Sequence, residues 1–228
     1  MSCLRMEKVV TALRVQKRNP NRVNVYLDGE FALGLSRMSA AWLTVGRKLS
    51  ETEIAKLLGD DELEVAYQKA LHFLSYRPRS RREVIKKLSD KGFSEQVVET
   101  TMERLQGEGF INDNSFAEQW IDNRNAFRPR SRRMLGYELR QKGIPDESIQ
   151  EALENIEISE EELAYKAGLK KAQACQNLDW QSFRNKVGSF LARRGFAYNI
   201  AAPVLKRLWN DIRPASKGDQ LNENNGVR

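Results

Sequence analysis

The chain reads as a mainly α protein: three tandem three-helix repeats in an elongated, curved array, with a small N-terminal antiparallel β extension. Three observations predict this. The hexapeptide Arg77-Pro78-Arg79-Ser80-Arg81-Arg82 returns intact as Arg128-Pro129-Arg130-Ser131-Arg132-Arg133, 51 residues later (128 − 77). A glycine following an amphipathic stretch recurs at nearly the same interval, in Lys91-Gly92-Phe93, Lys142-Gly143-Ile144 and Arg194-Gly195-Phe196. Period-two alternation is confined to the first 35 residues, before a helical period takes over. Self-similarity at roughly 20–50 residues marks stacked helical units, each too small to bury a stable core alone.

The β extension, residues 1–35, comes first. Val9, Thr11, Leu13 and Val15 alternate, as do Val23, Val25 and Leu27 after the turn-prone Asn19-Pro20-Asn21. Asp28-Gly29 then makes a tight turn into Phe31, Leu33 and Leu35. Such alternation with these turns predicts two or three antiparallel strands, which need the following helices to pack on. Residues 36–60 are expected to link the sheet to the repeats. Within them Ser50-Glu51-Thr52-Glu53 is a capping box, opening a short helix through Ile54, Leu57 and Leu58 that ends at Gly59.

The repeats are placed at 61–113, 114–157 and 158–211. Their last helices share apolar or small residues at i, i+3, i+4 and i+7: Val98, Thr101, Met102 and Leu105; Ile149, Ala152, Leu153 and Ile156; Ala201, Val204, Leu205 and Leu208. The middle helices align Val84 with Leu135 and Val187, and Leu88 with Leu139 and Leu191. Ser80-x-x-Glu83 and Ser159-x-x-Glu162 read as helix caps. The glycines fall where a helix ends in a left-handed residue. Residues 212–228, polar and poor in apolar side chains, read as a disordered tail.

Composition narrows the function classes. A net charge of +7, from 38 basic and 31 acidic residues, favours a polyanionic partner without the one-sidedness of a nucleic-acid-binding tail. No window holds the roughly 18 apolar residues of a membrane span, and residues 1–15 lack the apolar core of a signal peptide. Cys3 and Cys175 form no CxxC pair, so a reducing cytoplasm is the expected compartment. No nucleophile, phosphate-loop or zinc-protease motif occurs, and ligating residues are not clustered. The sole histidine, His72, sits among Leu71, Phe73 and Leu74 and reads as structural or surface. No enzymatic activity, cofactor or metal is expected.

The hexapeptides are the candidate binding site. Pro78 and Pro129 end the preceding helix, and Ser80 and Ser131 cap the next. The arginines oppose the macrodipole at that helix start, so they are expected to answer to something outside the chain. Arginine pairs bidentately with carboxylate as well as phosphate, so a protein surface and a nucleic acid are both suitable. The predicted contact residues are Arg77, Arg79, Arg81, Arg82, Arg128, Arg130, Arg132 and Arg133, with Lys170, Lys171, Arg193 and Arg194 in the third repeat. Trp180 and Phe183 read as core aromatics. Operator binding by a recognition helix is disfavoured, because the candidate helices carry Glu99, Glu103, Glu147 and Glu151.

These residues also carry a family likeness. Arg22-Val23-Asn24-Val25-Tyr26-Leu27-Asp28-Gly29-Glu30 resembles the N-terminal extension of RecX regulatory proteins. So do Leu74-Ser75-Tyr76-Arg77-Pro78-Arg79-Ser80, Gly109-Phe110-Ile111-Asn112-Asp113, and Phe116-Ala117-Glu118-Gln119-Trp120-Ile121 followed by Arg128-Pro129-Arg130-Ser131. The likeness runs from about Val9 to Trp209. It implies a monomeric, non-catalytic regulator that binds the RecA recombinase and RecA–DNA filaments. The regulator would restrain filament growth, recombination and coprotease activity within the SOS response and DNA repair, with single- or double-stranded DNA as a further partner. The residues alone leave open a general basic nucleic-acid-binding repeat protein with no RecA target.

Overall fold

The computed structural model describes residues 7–213, so the expected tail lies outside the described residues from 214 onward. Four antiparallel strands form one sheet in the order β3-β2-β1-β4: β1 (Lys8–Val15), β2 (Arg22–Leu27), β3 (Glu30–Ser36) and β4 (Lys48–Leu49). β2 sends Val23, Val25 and Leu27 inward, as period two requires. Asp28 and Gly29 both take positive φ, 51° and 90°, the geometry of a two-residue hairpin turn. The sequence reading missed β4, whose two residues are too few to show a period.

α1 (Arg37–Ala40) follows the sheet, and α2 runs unbroken from Glu51 to Leu74. The Ser50–Glu53 capping box is present at its start. The predicted stop at Gly59 is wrong. A helical glycine costs only about 1 kcal/mol relative to alanine, and here both flanks of the helix are held by packing. Ile54 and Leu57 pack on the sheet core of Val10, Val25, Leu35 and Leu49, whereas Ala66, Tyr67 and Ala70 enter the first helical core. Between them, the buried Asp61 accepts hydrogen bonds from the Arg22 guanidinium (3.1 Å) and from the Ser36 backbone N–H.

The chain divides into two compact units, up to Asn112 and from Asp113. In the first, the C-terminal half of α2 combines with α3 (Arg81–Ser89) and α4 (Glu95–Gly107) around Val84, Leu88, Val98, Met102, Leu105 and Ile111. The second unit holds two three-helix sets: α5 (Asp113–Phe127), α6 (Arg132–Gln141) and α7 (Asp146–Glu154), then α8 (Glu160–Gln173), α9 (Trp180–Arg193) and α10 (Tyr198–Asp211). These two sets share one continuous core, from Phe116 and Leu135 to Phe183, Leu191 and Leu208. The apolar positions aligned between repeats are the buried ones: Val84, Leu135, Val187, Leu88, Leu139 and Leu191 are all fully inaccessible.

Each middle helix ends in the same hydrogen-bonded closure. Gly92, Gly143 and Gly195 have φ of 86°, 79° and 91°. The next amide, of Phe93, Ile144 or Phe196, donates back to the carbonyl of Leu88, Leu139 or Leu191 at 3.4, 3.1 and 3.2 Å. The glycine amide itself donates to Ser89, Arg140 or Ala192. This is a Schellman closure, in which the side chain after the glycine meets the apolar residue that accepts its bond.

Gly195 is confined further: a Cβ there would lie 2.4 Å from Ser131 Oγ and 2.8 Å from Met134 Cβ, whereas one at Gly92 would meet nothing within 4 Å. We therefore expect Gly92→Ala to cost about 1–2 kcal/mol, the left-handed penalty alone. Gly195→Ala should cost clearly more, as measured by urea unfolding of the two single variants. Equal losses would remove the Ser131 contact from the account.

Candidate partner-binding surface: the arginine boxes

The two boxes are alike in backbone role and different in electrostatic setting. In the first unit Ser80, wholly buried, caps α3 by accepting from the Glu83 amide, and Glu83 reaches back to the Ser80 amide. Arg77 donates to Glu83 Oε1 at 3.1 Å and to the Pro78 carbonyl. Arg79 lays its guanidinium 4.0 Å from the centre of the Phe73 ring. Burial, and secondarily the charge of Arg77, lower its pKa. Arg81 donates to Gln106 on α4 at 3.2 Å. Arg82 is exposed.

In the second unit Ser131 caps α6 by accepting from the Met134 amide at 3.1 Å. Methionine replaces the glutamate found at the matching place in the first box, so no reciprocal bond forms and Arg128 lacks the partner that Arg77 has. The Ser131 amide donates instead to the Arg194 carbonyl at 3.1 Å, and Arg194 Nη1 donates to the Pro129 carbonyl at 3.3 Å. The third repeat's glycine turn therefore seats directly against the second box. Arg130 pairs with Glu138 at 2.7 Å, and Arg124 and the Trp120 indole N–H reach the other oxygen of that carboxylate, each at 2.9 Å. Burial is the main cause lowering the Arg194 pKa, followed by repulsion from Arg130, Arg128 and Arg124, with Glu138 opposing. Arg124, Arg130 and the indole N–H thus share one carboxylate, while Arg194 lies close enough to feel the charges of all three neighbouring arginines.

Of the twelve predicted contact residues, the structure brings Arg128, Arg130 and Arg194 together and adds Arg124, which sequence reasoning overlooked. Arg132 turns inward, donating to the Ile156 and Ile158 carbonyls at 2.9 and 3.4 Å, just beyond α7. Arg133 and Arg193 are exposed. Lys170 and Lys171 occupy the last turn of α8, where cations complement the macrodipole. Trp180 stacks on the buried Phe183 and meets Trp209 edge-on, packed against the core of the unit. The notion that all the arginines at these helix starts answer to an outside partner therefore needs dividing: Arg77, Arg79, Arg81, Arg130 and Arg132 have internal contacts, whereas Arg82, Arg128 and Arg133 project outward.

Models of the RecX N-terminal domain and of the first, second and third RecX three-helix domains match residues 8–50, 66–105, 112–153 and 159–205, in that order. The chain belongs to the RecX family. It is 30% identical to the regulatory protein RecX of Bacillus licheniformis over 200 residues, covering 86% of this chain and 76% of that one. It is 28% identical to RecX of Bacillus subtilis over 202 residues, covering 87% and 76%. A crystal structure of regulatory protein RecX superposes with a TM-score of 0.68 at 27% identity, over 87% of this chain and 99% of that one. RecX from Lactobacillus salivarius gives a TM-score of 0.56 at 25% identity, over 65% and 97%. Among the described residues of this RecX-family chain, no helix is long and apolar enough to cross a membrane.

The inward and outward arginines should separate by stability. Arg132→Ala is expected to destabilise by about 1–2 kcal/mol, since it strips charged donors from half-buried carbonyls. Arg133→Ala should stay within about 0.5 kcal/mol of the parent. Chemical denaturation of both variants provides the check.

Proposed function

We propose that this chain is a non-catalytic regulator that binds RecA recombinase and RecA–DNA filaments and restrains filament growth, recombination and coprotease activity. It acts as a monomer in the cytoplasm. The observation that carries this reading is membership of a family of regulatory proteins along all four of its segments, from residue 8 to residue 205. The arrangement of cations supports it. Two equivalent helix starts each present an outward arginine, Arg82 and Arg133, and Arg128 stands exposed beside the Arg124, Arg130 and Arg194 cluster. A filament repeats its surface along its length, so weak contacts made at more than one helix start gain avidity when the geometry lets them engage together.

The competing reading, a general nucleic-acid-binding repeat protein, draws on the same charge. It predicts tight DNA binding without RecA and a log–log salt slope of about −0.9 for each duplex phosphate neutralised. The discriminating measurement is the single-stranded-DNA-dependent ATPase of RecA with this protein at substoichiometric ratio. Inhibition by the parent, lost in Arg82→Glu/Arg128→Glu/Arg133→Glu with helical content unchanged by circular dichroism, supports filament control. Undiminished inhibition by that triple variant would remove the outward arginines from the contact, and no inhibition by the parent would favour the competing reading.

A further inference from the structure

The first unit contains a groove of about 1170 Å³, lined by no box arginine and touched by the boxes only where Arg79 covers Phe73. Its floor is α2 from Glu64 to Phe73 and the turn after it, at Tyr76. One wall is the β1–β2 turn with the start of β2, the end of β3 and the start of α1, at Asn19, Asn21, Arg22, Ser36, Arg37 and Met38. The other is the C-terminal part of α3 and the residues after it, at Lys87, Leu88 and Lys91.

The charge in this groove is one-sided. Its single lining carboxylate, Glu64, already accepts from Arg104 at 3.1 Å and from Gln68 at 2.9 Å. One lining cation, Arg22, is correspondingly taken by Asp61. Arg37 on α1, Lys69 on α2, Lys87 on α3 and Lys91 in the turn after it remain, with no carboxylate among the described residues paired to them. The groove also offers ring faces. Tyr76 is 70% exposed and meets His72 edge-on at 5.1 Å, while Phe73 beside them is already covered by Arg79 and Lys87. Asn19, Asn21 and Gln68 add side-chain amides.

Cations spaced along a channel, exposed rings between them and amides at the edge are the elements that hold single-stranded nucleic acid: phosphates pair with the cations and bases stack on the rings. A folded acidic segment would use the cations but would leave the Tyr76 and His72 faces without a matching π-surface. We infer that the groove between the N-terminal sheet and the first helical module is a binding site for a short single-stranded polynucleotide segment. The ten helical steps from Glu64 to Leu74 span about 15 Å at 1.5 Å each, enough for a segment of only a few nucleotides. The site is separate from the outward box arginines and needs no recombinase.

The test is anisotropy titration of fluorescein-labelled dT12 with the full chain, in the absence of RecA. Lys69→Glu/Lys87→Glu/Lys91→Glu should weaken binding at least tenfold and reduce the log–log salt slope by about 2, at about 0.7 per single-strand phosphate contact. The triple Lys→Arg variant should restore it. Tyr76→Ala should weaken binding by roughly five- to hundredfold, the range for one stacked base, with a smaller change in salt slope. Unchanged thermal unfolding by circular dichroism confirms that each variant is folded. Parent-like dT12 binding by the glutamate and alanine variants overturns the inference, as does loss of poly-glutamate binding with dT12 binding intact. Because Arg128→Glu/Arg133→Glu should spare dT12 binding while impairing filament inhibition, failure of the groove and failure of the filament reading are distinguishable.

Discussion

The three-helix module rests on one backbone constraint, the left-handed closure at the end of its middle helix. A helix that simply stopped would leave carbonyls unpaired and the following chain free to depart in any direction. The glycine reverses the chain within one residue, and the next amide bonds back to the carbonyl of a buried leucine. That bond places Phe93, Ile144 or Phe196 against the core and aims the third helix back across the first two. The apolar register of the last helix is useful only because the turn delivers it at a repeatable angle. In the third repeat the same turn does more, since the absence of a Cβ on Gly195 lets the backbone press on Ser131.

On this shared frame the two boxes have diverged through a few substitutions. Glu83 and Met134 occupy equivalent places, as do Phe73 and Arg124, and Lys87 and Glu138. In the first unit the glutamate completes the cap, the ring carries Arg79, and the lysine faces a groove that is left positive. In the second unit the cap is single, the ring position holds a cation, and Glu138 draws Arg124 and Arg130 together. One local backbone thus supports a dispersed positive surface in one unit and a condensed guanidinium cluster in the other. The regulatory role shared with the family need not treat the two boxes as copies.

Much of the frame was legible in the sequence because it depends on short-range spacing. The glycine turns, the serine caps and the i, i+3, i+4, i+7 positions are all set within about ten residues, and they coincide with the observed caps and buried side chains. What could not be read depends on distant partners. β4 exists because Val9 and Lys8 offer an edge to Lys48 and Leu49. α2 passes Gly59 because two separate cores hold its two halves. The arginines that turn inward reach carbonyls and carboxylates as far as 65 positions away, as with Arg194 and Pro129. Hexapeptide identity gave no sign that Arg79 and Arg130 would find such different neighbours.

The unbroken α2 packs on the sheet with one end and enters the first module with the other, and this limits how this stretch of the chain can change length. A loop absorbs an added residue by bulging. A helix cannot, because every residue turns all that follows by about 100° and advances it 1.5 Å. One residue inserted between Asp61 and Ala66 would swing the first module's core face away from its present bearing on the sheet. It would also carry Lys69 and Tyr76 out of line with Arg37. Insertions here are tolerable only in multiples that restore the helical phase, so this stretch acts as a fixed-length spacer whose tolerance is counted in whole turns.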